Sequence, residues 1–290
     1  MSKRMKRRPQ GLWADADGVK EGKSHDRKKK HIIGEGTPIP LFVDMGVFTQ
    51  EGKVVAAMQH KYKQINRFLE IIDDTLDDVR SLSVVDFGCG KSYLTFVLYH
   101  FLTEVKGIET TMVGLDLKAD VIENCQKLAV KYGFRNLNFM CGDIGDFHEK
   151  KTERVDMVVS LHACDTATDY ALHHAVQMGA RFIFAVPCCQ HELKGQMKTE
   201  DLSLLTRYGT VKDRAAALMT DAIRANLVAS LGYKTHLMEF VDLAHTPKNM
   251  LIRAVKTKMP KRAKEMYLAE VERVCQMFGV RPLLKELFNA

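Results

Sequence analysis

The sequence has no run approaching the ~20 apolar residues needed to cross a bilayer, although hydrophobic residues make up 46% of its 290 positions. A membrane-spanning role is therefore not expected, and the length suits one large domain with extensions. No apolar run follows the basic segment Met1–Pro9, so no signal peptide is expected. The seven cysteines are odd in number and lack the spacing of a disulfide scaffold, which points to a reduced, cytoplasmic setting. No C-x-x-C pair and no internal repeat occurs.

What is present begins with charge. The net charge is +7, and it is uneven. Lys3, Arg4, Lys6, Arg7 and Arg8 open the chain, and Arg27, Lys28, Lys29, Lys30 and His31 follow. Such clusters attract phosphate backbones through counterion release; the alternative is a solvated extension that aids solubility. Residues 1–36 carry few large apolar side chains and read as a basic, flexible extension. Residues 37–80 read as an N-terminal helical segment, in which Ile65, Phe68, Leu69, Ile72 and Leu76 recur at spacings of three and four.

Residues 81–257 then alternate between strand and helix. The expected strands are Leu82–Asp86, Thr111–Asp116, Leu137–Cys141, Val155–Ser160 and Arg181–Val186. Helices are expected over Ser92–Lys106, Ala119–Tyr132 and Thr166–Met178, with Gly133 and Gly179 as stops. A longer helical region follows (199–231), then two strands, Tyr233–Val241 and Met250–Val255, joined by Thr246-Pro247-Lys248-Asn249. The alternation implies right-handed crossovers. The expected fold is α/β and Rossmann-like: a seven-stranded, mostly parallel sheet, helices on both faces and a terminal antiparallel hairpin. Residues 258–290 form a C-terminal helical segment starting at Pro260.

Ligands of open α/β sheets sit at the carboxyl ends of the strands. There the chain offers Asp86-Phe87-Gly88-Cys89-Gly90, whose glycines let the backbone approach a ligand closely. Two phosphate motifs are missing. The third glycine of a dinucleotide fingerprint would fall at Tyr93, and the first glycine of a P-loop would fall at Val85. Asp86 would repel a pyrophosphate but suits the ammonium and sulfonium of S-adenosylmethionine. Asp116 closes the second strand, where a carboxylate can accept ribose hydroxyls, and Asp143 closes the third, in reach of an adenine amine. The expected cofactor set is Asp86, Gly88, Cys89, Gly90, Asp116, Leu117, Asp143 and Ile144.

The segments DFGCGKSYLTF, GLDLK, CGDI, SLHACDTATDYAL and VPCCQHE resemble the class I methyltransferases. More narrowly they are similar to the family of methyltransferase-like protein 25 and the methyltransferase domain of the glutathione S-transferase C-terminal-domain-containing protein. The resemblance covers residues 55–256 and implies an S-adenosylmethionine-dependent methyltransferase. With the basic termini it implies an RNA substrate, ribosomal or transfer RNA. A methyltransferase for a small molecule or protein, and a non-catalytic RNA-binding module on the same fold, are the alternatives.

Methyl transfer is an in-line displacement in which the protein positions the nucleophile and removes its proton where needed. Catalytic groups are therefore expected after strands four and five: His162, Cys164, Asp165, Cys188, Cys189 and His191. His162 can serve as a base near neutral pH or fix the loop. Asp165 can orient a substrate amine or cap the following helix. A cysteine thiolate can add to a pyrimidine, or the cysteines can simply pack. No metal site is expected: His162, Cys164, Cys188, Cys189 and His191 are soft ligands, but adjacent cysteines rarely ligate one ion together. The N/D-P-P-Y segment of exocyclic amine methylation is replaced by Ser160-Leu161-His162-Ala163.

Overall fold

The computed structural model describes residues 31–36, 39–147, 154–161, 163–239 and 250–289. The short α1 (Pro40–Asp44) starts on a proline, whose fixed φ suits a first helical turn. A 3-10 turn, Ala56–Met58, leads into α2 (Gln59–Asp73). The face expected on α2 is the face it buries: Phe68, Leu69 and Ile72 are wholly inaccessible.

The alternating region follows as β1 (Ser81–Phe87), α3 (Tyr93–His100), β2 (Glu109–Asp116), α4 (Ala119–Lys131), β3 (Leu137–Cys141), β4 (Met157–Ser160), α5 (Thr166–Gln177) and β5 (Phe182–Ala185). Then come α6 (His191–Gln196), α7 (Ser203–Arg207), α8 (Gly209–Ser230), β6 (Tyr233–Glu239), β7 (Met250–Lys256), α9 (Lys261–Phe278) and α10 (Leu283–Asn289).

The strands form one seven-stranded sheet in the order β3-β2-β1-β4-β5-β7-β6. The first five run parallel. β7 inserts antiparallel between β5 and β6, as expected of the terminal hairpin. Every residue of β4 and of β5 is buried, because a parallel sheet covered on both faces offers no solvent side. Leu82 and Val84 of β1 join a core built with α1 to α4. Val85 and Phe87 point to the other face and join a core built with α5, α6, α8, α9 and α10. The chain reverses direction across the sheet between β1 and β4, so their carboxyl ends flank a crevice open to ligands.

The elements differ from the sequence expectation in four places. The helix after β1 changes after His100 to a π-helical turn, Phe101–Val105, which buries both Phe101 and Leu102. β4 begins at Met157 rather than Val155, because Asp156 is used otherwise: its carboxylate accepts the Ser83 N–H and its carbonyl accepts Arg181 and Phe182 N–H. The long helical region breaks at Tyr208, whose backbone is extended (φ −100°, ψ 122°). Helix α6 was not expected, since only Leu193 of its six residues is buried and no periodicity announces it. The turn Thr246-Pro247-Lys248-Asn249 lies outside the described residues, as do the basic residues Lys3 to Lys30. Among the described residues no helix is long and apolar enough to cross a membrane.

Candidate active site

The turn after β1 is tied to the end of β2. Gly88 and Cys89 both donate their N–H to the Leu115 carbonyl (2.9 and 3.0 Å). Gly90 donates its N–H to Asp116 Oδ2 (2.8 Å), and Lys118 N–H donates to Oδ1 (3.1 Å). Each oxygen of the half-buried Asp116 thus carries one backbone bond and keeps a lone pair for a further donor. Gly88 and Gly90 hold φ of 72° and 53°, a region that glycine enters without strain. A Cβ added at Gly90 would meet nothing within 4 Å, so open space adjoins this turn. Leu117, next to Asp116, exposes 66% of its surface.

Asp86 lies beneath the turn, 3% exposed, and accepts a hydrogen bond from Thr95 Oγ1 at 2.6 Å. Burial pushes its carboxyl up to about 7; the Thr95 bond opposes this and the charge of Asp116 adds to it. A buried acid poised there becomes a carboxylate when a cation arrives. Cys89 is buried, and its burial raises the thiol well above the ordinary range. Its sulfur sits against the α-carbon of Gly114, where an added Cβ would meet it at 3.2 Å and the Phe139 ring at 2.7 Å. The side chain of Cys89 therefore packs, and only its backbone borders the turn. Past β3, Asp143 is exposed and its Oδ1 accepts the Gly145 N–H (2.8 Å). Ile144 is buried, its carbonyl bonded to His174 Nε2 (2.8 Å).

The ends of β4 and β5 are linked by a polar network that sequence reasoning missed. Asp165 adopts φ 52°, ψ −122°, a conformation that is strained for a residue with a Cβ. Its side chain makes no cap bond on α5. It reaches across instead, accepting the N–H of His191 (2.9 Å) and Glu192 (3.2 Å) at the start of α6. Asp165 therefore does not cap the helix that follows it, a role the sequence allowed; its carboxylate holds the start of α6 instead. The Asp165 carbonyl accepts Arg224 Nη2 (2.8 Å).

Arg224, on α8, is 1% exposed and forks onto Asp169, with Nε to Oδ1 at 2.9 Å and Nη2 to Oδ2 at 2.6 Å. Its Nη1 lies 3.5 Å from Asp221. Asp221 in turn accepts both bonds from Gln190 Nε2 (3.3 and 3.1 Å). The signal in the sequence was two charges three apart on α8, on the face that also carries Thr220, Ile223 and Val228. Thr168 Oγ1 closes the β4 loop by donating to the Ala163 carbonyl (2.7 Å). The hydroxyl of Ser160, the last residue of β4, is buried with no hydrogen-bond partner among the described residues.

Of the residues expected to act on substrate, the structure brings Cys164, Cys188 and Cys189 together. Their sulfurs all lie within 4.8 Å of one another, with Cys164–Cys188 at 2.7 Å and Cys188–Cys189 at 3.8 Å. Asp165 and His191 flank them through the bond just described. His162 lies outside the described residues. Burial, with the two neighbouring thiols, pushes the Cys188 thiol up, which works against Cys188 as a resting nucleophilic thiolate.

Residues 60–196 match a family described as a methyltransferase domain. The segment runs from α2 through the two glycines and three acids to the end of α6. The match covers just under half of the chain, and this segment is similar to a methyltransferase domain. S-adenosylmethionine is the cofactor expected from the sequence, and the site fits it: a buried acid that favours a cation, a half-buried acid with lone pairs to spare, and open space beside Gly90. The chain is 30% identical to the glutathione S-transferase C-terminal domain-containing protein of Mus musculus over 197 residues, covering 58% of this chain and 29% of that protein. It is 25% identical to the Xenopus laevis protein of that name over 150 residues, covering 51% and 22%. The chain thus spans about a quarter of the length of these relatives. Among solved structures, the CMeT domain of the citrinin polyketide synthase aligns with TM-score 0.45 and 15% identity, over 70% of this chain and 53% of that one.

Proposed function

We propose that the chain transfers the methyl group of S-adenosylmethionine to RNA, with ribosomal or transfer RNA as the substrate class. The observation that carries the RNA reading is where the charge lies. Residues 1–31 hold eleven Lys and Arg against four Asp and Glu, an excess equal to the whole net charge of +7. Residues 32–290 are therefore balanced, and attraction for phosphates is concentrated in one segment.

The roles follow from the strand ends. Asp86 faces the cationic end of the cofactor, and the backbone of Gly88, Cys89 and Gly90 lies along it. Asp116 accepts the ribose hydroxyls, Leu117 and Ile144 cover the adenine, and Asp143 accepts its amine. His162, Cys164, Asp165, Cys188, Cys189 and His191 form the substrate side, where the transfer needs a base held in line with the methyl group. Seven cysteines, none of them in a disulfide, suit a reducing, cytoplasmic compartment.

The test is methyl transfer from radiolabelled S-adenosylmethionine to total RNA, with protein and small-molecule fractions in parallel. Labelled nucleosides in digested RNA are the expected result. Label confined to the protein or small-molecule fraction would overturn the RNA assignment. Cofactor binding with no transfer to any fraction would leave a binding module rather than an enzyme.

A further inference from the structure

The geometry points to a soft-metal site, of zinc type, formed by Cys164, Cys188 and Cys189 at the carboxyl ends of β4 and β5. Sequence spacing argues against it, since no C-x-x-C pair exists and two of the three cysteines are adjacent. The sheet supplies what the spacing lacks: β4 and β5 are hydrogen-bonded neighbours, so the loops that leave them are brought side by side.

Four sulfurs at the zinc–sulfur distance of ~2.3 Å around a tetrahedral ion stand about 3.8 Å apart. The Cys188 and Cys189 sulfurs are already at 3.8 Å, and all three lie within 4.8 Å of one another. Cys164 sits at 2.7 Å from Cys188, so it needs to swing out by about 1 Å to reach tetrahedral spacing, and its exposed position leaves it free to do so. A disulfide, at ~2.05 Å, would use two of these sulfurs and leave the third idle; a metal uses all three.

The loops around the sulfurs are cross-tied by hydrogen bonds. Asp165 bonds the N–H of His191 and Glu192, Gln190 is held by Asp221, and both loops lead back to buried Arg224. Such a shell fixes ligands before the ion arrives. Thiolates favour zinc over hard cations. Exposure on the Cys164 side leaves a fourth position to water, the arrangement of three-ligand zinc sites. Each thiol gives up its proton to the buffer as the metal binds.

The inference does not rest on the RNA reading, and its test does not use methyl transfer. The full chain, reduced and stripped with a chelator, is titrated with Co2+ and then with Zn2+ while its absorbance is followed. One Co2+ per chain, with thiolate charge-transfer bands and tetrahedral d–d bands that Zn2+ abolishes, is expected. Losing a second-shell partner already costs about 10–100-fold in metal affinity. Cys164→Ser and Cys188→Ser should therefore each weaken binding by at least about tenfold. Cys141→Ser, an exposed cysteine outside the cluster, should bind as the parent does. Should Cys188→Ser fail to fold by circular dichroism, Cys164→Ser, at an exposed position, carries the test. Absence of the charge-transfer bands, or unchanged affinity in Cys164→Ser, would overturn the site. So would a Cys164–Cys188 disulfide found by mass spectrometry in protein prepared with zinc present.

Discussion

Replacing Arg224 by Met removes the cation that pairs Asp169 and Asp221 in a buried group of carboxylates. Asp169 and Asp221 are 2% and 3% exposed, and each would be left without its counter-charge. Breaking a buried ion pair from one side costs about 3–5 kcal/mol, and the lost bond to the Asp165 carbonyl acts in the same direction. In a domain of this size 1 kcal/mol moves the melting temperature by about 2–4 °C, so the loss should be about 6–20 °C. Removing Asp169 as well, in Arg224→Met/Asp169→Leu, should restore part of it, since an apolar pair of similar volume often stabilises as well as the ion pair did. The pH dependence has a definite sign. Burial raises the Asp221 carboxyl to about 6, although Arg224 and Gln190 hold it down. A raised acid binds its proton more tightly when folded than when unfolded. Without Arg224 that carboxyl rises further, so the Arg224→Met variant should recover stability as pH falls from above 6 toward the ordinary carboxylate value. Urea unfolding of the parent, the single and the double variant at pH 7.5 and pH 5 measures all of this. A single variant within about 1 kcal/mol of the parent at pH 7.5, a loss typical of exposed ion pairs, would refute the reading of this network as a buried support.

The cofactor should bind more tightly as pH rises from 6 to 8, because Asp86, at about 7, must be ionised to hold a cation; affinity should fall about tenfold per unit well below that value. Calorimetry across this range checks it, and a flat profile would remove Asp86 from the binding role. Asp116→Ala should weaken cofactor binding by at least about tenfold, since each charge-assisted bond to ribose is worth about 1.5–3 kcal/mol; equal affinities would sink that assignment. If the basic segment touches about six phosphates, RNA affinity should fall as roughly the fourth to fifth power of salt concentration. Deleting residues 1–31 should flatten that slope and spare cofactor affinity, and identical slopes by fluorescence anisotropy would show that the segment only solubilises.

The first three strands were legible because each stops at an acid or a glycine, as Leu82–Asp86 does before Gly88, Thr111–Asp116 does at Asp116 and Leu137–Cys141 does before Gly142. β3 is found where the sequence put it, at Leu137–Cys141. The neighbourhood of β4 and β5 followed from their order, so soft ligands on adjacent strand ends were anticipated; the separation of their sulfurs was not, because it depends on loop backbone. Asp165 shows the limit most clearly. An acid just before a helix reads as that helix's cap, yet its positive φ turns the side chain toward α6, and α6 itself carries no periodic signal. Arg224 was hidden for a different reason. A charged residue in a long helix is ordinarily solvated, and only the register of α8 against α5 tells that this one is not.

The late arrival of β7 in the chain has a consequence for synthesis. β5 ends at Ala185 and its outer neighbour begins at Met250. On a ribosome adding about 5–20 residues per second, the intervening stretch takes roughly 3–13 s to appear. Throughout that interval the outer edge of β5 shows unpaired amides and carbonyls on a wholly apolar strand, a template for joining another nascent chain. Only when β7 slides in against it, with the earlier-made β6 paired on its far side, is that edge withdrawn. The β6–β7 hairpin thus acts as a seal on the growing chain, and chains stalled or truncated before Met250 are the ones that should cling to one another or to chaperones.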